Sequence, residues 1–126
     1  MRLSAKLALA STIVGSLAAG RSASAASVDA TAMMALAQSS GCLACHALNH
    51  AKVAPSYDEI ARRFHGQPNA LQTLQNAILN GHSGTWGLVP MPSYGGAQNL
   101  LTPAQAEDLA RWVLSMSPKQ RTPPGG

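Results

Sequence analysis

The feature that most constrains this chain is the string Cys42-Leu43-Ala44-Cys45-His46. It holds both of the cysteines found in 126 residues. Two thiols three positions apart can sit on one turn of chain, and the imidazole that follows projects from the same turn. A fold built on this sequence must gather the three donors about one object and leave room for it. A structural zinc site needs four Cys or His ligands, and no second paired cluster exists. A redox-active C-x-x-C belongs beside strands in a βαβ unit, and strand patterns are missing. A disulfide across two intervening residues would be strained and short-looped. The reading that fits is covalent attachment of haem. Each thiol adds to one vinyl group, and the histidine reaches under the iron.

The start of the chain reads as an export signal. Arg2 and Lys6 precede the uncharged apolar run from Leu7 to Ala19, and Ala23-Ser24-Ala25 offers small residues for a cut before Ala26. The run of 13 residues falls short of the ~20 that span a bilayer. Residues 1–25 are therefore expected to be a cleaved signal, 26–118 the working domain and 119–126 a disordered tail without apolar residues. Arg2, Lys6 and Arg21 leave with the signal. Six basic side chains then face five acidic ones, so the net charge falls from +4 to +1. That is no footprint for nucleic acid, which needs a dense basic stripe.

The rest patterns as four helices, an all-α domain. Asp29 caps a first helix to about Ser40, with Met33, Leu36 and Ala37 on one face, and Gly41 frees the backbone to turn. Ser56 and Glu59 form a capping box for a second helix that stops at Gly66. Asn69 and Gln72 suggest another box for a third helix carrying Leu71, Leu74, Ala77 and Ile78, ended by Gly81. Thr102 and Pro103 open the fourth, whose stripe is Leu109, Trp112, Val113 and Met116, and Pro118 closes it. Residues 82–101, with four glycines and two prolines, resist a helix. A loop that long in a compact domain is usually functional.

That loop holds the best candidate for a second iron ligand. Met91 stands between Pro90 and Pro92, 45 positions after His46. The flanking rings stiffen the segment and remove two N–H donors, so one side chain can be held against a metal. Met33, Met34 and Met116 fall among apolar helical positions and read as core filler. His50, His65 and His82 could replace Met91 in principle, His82 from the right loop, but surface positions suit all three better.

In order and spacing these motifs resemble class I cytochrome c, of the short bacterial c-551 or c8 type. The resemblance covers roughly residues 30–117. It runs through Gly41-Cys42-Leu43-Ala44-Cys45-His46-Ala47, Val53-Ala54-Pro55-Ser56-Tyr57, Asn80-Gly81, Thr85-Trp86-Gly87, Val89-Pro90-Met91-Pro92 and Ala110-Arg111-Trp112-Val113-Leu114-Ser115. It implies about four helices wrapped around one haem c, with thioethers at Cys42 and Cys45 and axial ligands His46 and Met91. By the same resemblance the Pro55 carbonyl orients His46, Trp86 donates to a haem propionate, and the first and last helices cross near Gly41 with Trp112 at the contact. Four positions depart from the family pattern. Ala54 stands for a glycine, Ala77 for an arginine, Ala37 for an aromatic and Tyr94 for an asparagine.

The expected function is that of a soluble periplasmic monohaem carrier of single electrons, monomeric, and no enzyme, since both axial positions are filled. Its partners are expected to be periplasmic redox proteins, with no nucleic acid and no membrane for the mature form. Relatives serve nitrite reductase and terminal oxidases. The alternative is a cytochrome subunit of a periplasmic oxidoreductase such as a sulfite dehydrogenase. A weaker third reading, a haem-based ligand sensor or peroxidase-like protein, needs a vacant distal position.

Overall fold

The computed structural model describes residues 27–116. The expected export segment, the break at Pro118 and the tail lie outside these residues. Within them the chain is all-α, with four helices: α1 (Ala30–Ser39), α2 (Tyr57–Phe64), α3 (Ala70–Asn80) and α4 (Pro103–Ser115). A single 3-10 turn covers Cys42–Ala44 between α1 and α2. The only strand-like pairing among the described residues is an isolated antiparallel bridge between His82 and Met91.

Three of the four helix starts follow their capping residues. Asp29 accepts from the Thr31 N–H at 2.9 Å and opens α1. Ser56 and Glu59 complete a reciprocal capping box, with the Glu59 N–H on Ser56 Oγ at 3.1 Å and the Ser56 N–H on Glu59 Oε2 at 2.9 Å. Thr102 and Gln105 form another, so α4 has a box as well as Pro103 at its first position. The box expected at Asn69 and Gln72 is absent. Asn69 has φ −100° and ψ 10°, not the extended conformation of a capping residue, and its side chain makes no capping bond. A tight turn replaces the cap: the Ala70 N–H donates to the Gln67 carbonyl at 3.2 Å.

α4 is the hub, packed against α1, α2 and α3. Its Leu109, Trp112 and Val113 join Ala37 of α1, Tyr57 and Ile60 of α2, and Leu101 in one buried cluster. Met33, Met34 and Met116 pack on the edge of that cluster, as their helical positions led one to expect. Ala37 and Trp112 thus share the α1–α4 contact region. Gly41, just past α1, has φ +81°, and a Cβ added there meets nothing within 4 Å. The glycine serves the left-handed turn into the cysteine motif, not a close helix crossing. Among the described residues no helix is long and apolar enough to cross a membrane.

Candidate functional site

The turn after α1 builds one wall of the site. Gly41 reverses the chain, and the His46 N–H donates to the Cys42 carbonyl at 3.0 Å. The two thiols and the imidazole therefore leave one tight coil. Cys42 and Cys45 are unpaired and partly exposed. The coil is tied from outside at two points: the Ala54 N–H donates to the Cys45 carbonyl at 3.1 Å, and Lys52 Nζ to the Leu43 carbonyl at 2.9 Å. Ala54 does this with an ordinary backbone. Asn99 is the one non-glycine with positive φ among the described residues, so a glycine at position 54 is not required.

His46 is 8% exposed, and its Nδ1 lies 2.7 Å from the Pro55 carbonyl oxygen. A carbonyl can only accept, so Nδ1 carries the proton and Nε2 keeps its lone pair. Burial lowers the imidazole pKa, with the Pro55 bond opposing the shift. The ring is thereby kept neutral and oriented, the state in which imidazole binds a metal. Tyr57 stacks on it, ring centroids 5.3 Å apart at 28°. Burial raises the Cys42 thiol, while hydrogen bonding from the backbone and from the Tyr57 hydroxyl opposes that shift.

The facing wall comes from α3 and the loop after it. His82 and Met91 exchange both backbone bonds, the His82 N–H to the Met91 carbonyl at 3.1 Å and the Met91 N–H to the His82 carbonyl at 2.7 Å. Beyond Met91, the Tyr94 and Gly95 N–H groups donate to the Ile78 and Leu79 carbonyls at 3.0 Å each, covering open acceptors in the last turn of α3. Gly81 is required at the junction. A Cβ there would lie 2.7 Å from the Met91 carbonyl oxygen, and φ is +79°. The stretch that resists a helix thus begins as a hairpin-like neck that fixes Met91 against the end of α3.

Between the walls lies a cavity of about 200 Å³. Cys42, Cys45, His46, Pro55, Trp86 and Met91 all line it, so the six residues singled out from sequence converge on one space. Ile60, Phe64, Leu74, Ile78, Leu109 and Val113 supply apolar wall, and no lining residue is Lys, Arg, Asp or Glu. Ala54, Ala77 and Tyr94, three of the departures, line it as well. His82 borders the space, but it is exposed and its Nε2 is hydrogen-bonded to Thr85 Oγ1 at 2.6 Å. His50 and His65 are exposed and line no part of it. Trp86 is 38% exposed at the rim, with the Arg63 guanidinium carbon 5.0 Å from its ring centroid.

This donor set fits a tethered haem. Two free thiols, a neutral imidazole with its second nitrogen committed, a thioether and apolar walls are what a large flat apolar group with a central iron requires. Among the described residues no cluster of three or more His, Cys, Asp or Glu could hold an ordinary metal ion. Sequence reasoning left three residues without a role here. Tyr57 stood at the first position of a capped amphipathic helix, a place that signals core but not its contact with His46. The contacts of Lys52 with the Leu43 carbonyl and of Arg63 with the Trp86 ring carry no local pattern.

Comparison with known proteins agrees with the site. The family model described as cytochrome c matches residues 30–117. The chain is 44% identical over 81 residues to cytochrome c-552 of Hydrogenobacter thermophilus, covering 64% of this chain and 78% of that one. It is 41% identical over 80 residues to cytochrome c-551 of Pseudomonas aeruginosa, covering 64% of this chain and 72% of that one. Among solved structures, wild-type Nitrosomonas europaea cytochrome c552 superposes with a TM-score of 0.61 at 32% identity, covering 67% of this chain and 99% of that one.

Proposed function

The chain belongs to the cytochrome c family, and from that premise we propose that it is an exported, soluble periplasmic shuttle of single electrons between respiratory redox proteins. Membership makes it a small class I cytochrome of the c-551 type, with one covalently attached haem c and electron transfer in place of catalysis. The bound haem supplies a one-electron ferric/ferrous couple. Everything else is done by the chain.

In this reading Cys42 and Cys45 would tether the group, and His46 and Met91 would ligate its iron. The observation that carries it is the convergence of these four side chains on one apolar cavity, with His46 Nδ1 committed to Pro55 and Nε2 left to bind. Pro55 fixes the imidazole plane, and Trp86 at the rim can donate its indole N–H to a propionate. The apolar wall keeps water from the iron and disfavours the more highly charged ferric state. A soft thioether at Met91 favours the ferrous state too, so both effects raise the potential. With His46 and Met91 both on the iron, no coordination site would be left for a substrate. The oxidants it serves are those of respiratory chains, nitrite reductase or a terminal oxidase.

The test is purification of the protein from the periplasm of an expressing host. Its intact mass should equal the chain from Ala26 onward plus one haem, and the haem should survive acid-acetone extraction. Haem that extracts freely, or a mature mass without haem, overturns the reading. Recovery from the cytoplasm alone with its leader intact overturns the location.

A further inference from the structure

The rim of the cavity carries a contact that the carrier reading leaves unused. Arg63, in the last turn of α2, seats its guanidinium carbon 5.0 Å from the centroid of the Trp86 ring. The ordinary partner for Arg63 would be Glu59, four positions back on the same helix. That carboxylate is taken: Glu59 Oε2 accepts the Ser56 N–H at 2.9 Å and the Ser56 hydroxyl at 3.2 Å. Arg63 instead leaves its own helix and reaches the segment 83–90, most of which lines the cavity. Among the described residues no hydrogen bond joins α2 to that segment, and neither the Arg63 guanidinium nor the Trp86 indole N–H has a hydrogen-bond partner. No Lys, Arg, Asp or Glu lines the cavity, so Arg63 is the cation brought to the Trp86 side of its rim.

We propose that Arg63 is the positioning residue of Trp86: its cation, seated on the indole face, latches residues 83–90 to α2 and sets a positive charge at the rim, where the acidic edge of the bound group would lie. The inference rests on the haem reading above. A flat apolar group that carries carboxylates enters apolar end first, because an unpaired carboxylate is costly to bury. Its charged edge then stays at the rim, beside Trp86. A ring free to swing offers its N–H to a carboxylate only part of the time. A ring held on one face by Arg63 keeps that N–H aimed, and the guanidinium keeps its own N–H donors for the same charged edge. A cation at the rim also favours the reduced state, which carries one positive charge fewer at the iron.

The experiment uses the haem-loaded, reduced protein as wild type, Arg63→Gln, Arg63→Lys and Arg62→Gln. The two tryptophans give two indole N–H signals by NMR, and Trp86→Phe identifies the one at the rim. Trp112 is 4% exposed and serves as the reference within each sample. In Arg63→Gln the Trp86 indole N–H should exchange with solvent roughly threefold faster, the weight of a cation–π contact at a partly exposed site, and the reduction potential should fall. Arg63→Lys keeps a cation for the ring and should hold both values close to wild type. Arg62→Gln removes the same charge one position away, and should leave Trp86 exchange unchanged and lower the potential less. Wild-type exchange in Arg63→Gln overturns the proposal. So does equal exchange in Arg62→Gln and Arg63→Gln, or a lysine variant that exchanges as fast as the glutamine one. A potential that Arg63→Gln lowers no more than Arg62→Gln does overturns the charge at the rim. Wild-type protein carrying no covalent haem is a different result, and overturns the haem reading itself.

Discussion

At the scale of single residues, Met91 carries the sharpest expectation. Its carbonyl and N–H are pinned to His82, and its side chain lines the cavity that His46 borders from the other wall. Thioether ligation should make the ferric protein low-spin, with a weak sulfur-to-iron charge-transfer band at the red edge of the spectrum. Met91→Ala should abolish that band and let the ferrous protein bind carbon monoxide readily. Met33→Leu, Met34→Leu and Met116→Leu should leave it intact, because those side chains pack on the core edge and the swap costs under ~1.5 kcal/mol. His82→Ala should leave it intact too, and a spectrum that responds to His82 and not to Met91 would make the protein bis-histidine ligated. The residues of this site were legible to different depths. Cys42, Cys45 and His46 form a local string, and Met91 stood out because two prolines bracket it. The Tyr57–His46 stack and the Lys52–Leu43 bond join residues about ten positions apart across a turn, and no local pattern encodes where that turn brings them.

At the scale of elements, the helix starts differ in what holds them. Ser56 is 1% exposed and its capping box precedes Tyr57 directly, so the box sets both the start of α2 and a wall of the cavity. Ser56→Ala should lower the free energy of unfolding by about 1–2 kcal/mol, and Thr102→Ala by about 1 kcal/mol. Asn69→Ala should change it by less than ~0.5 kcal/mol, since that side chain makes no capping bond. Urea denaturation of the holoprotein measures all three, and an Asn69 effect as large as the Thr102 effect would contradict the difference in capping. Four helices were legible because each repeats apolar residues at helical spacing, and three starts were legible because their caps bond within three residues. The start of α3 was not. Asn69 and Gln72 match the pattern, but Pro68 and the Gln67 turn set the backbone angles first. The neck between His82 and Met91 was invisible for another reason: a two-bond bridge is too short to leave an alternating pattern.

At the scale of the whole molecule, charge is distributed unevenly. No Asp, Glu, Lys or Arg occurs from residue 64 to residue 106, nor from 30 to 51. Both walls of the cavity come largely from these stretches, and the attachment turn, with exposed Leu48 beside it, lies in the second. The cation at the attachment turn is Lys52, whose Nζ is engaged by the Leu43 carbonyl. An encounter surface of this kind gives little electrostatic steering, so association with a redox partner should run at roughly 10⁵–10⁷ M⁻¹s⁻¹. Stopped-flow electron transfer should change little between low and high ionic strength, and a steep fall with salt would contradict it. The neck at His82 and Met91 has a consequence for how such a molecule can diversify. Because the chain is cross-tied before and after residues 83–90, the length of that segment is uncoupled from the backbone position of Met91, even though most of the segment lines the cavity. Lengthening it by two residues adds only about 0.2 kcal/mol of loop-closure cost. Leu88 and Val89 in this segment face the cavity. A lineage can therefore change the length of this cavity wall, and with it the surroundings of the bound group, while the backbone of Met91 behind the neck stays in register.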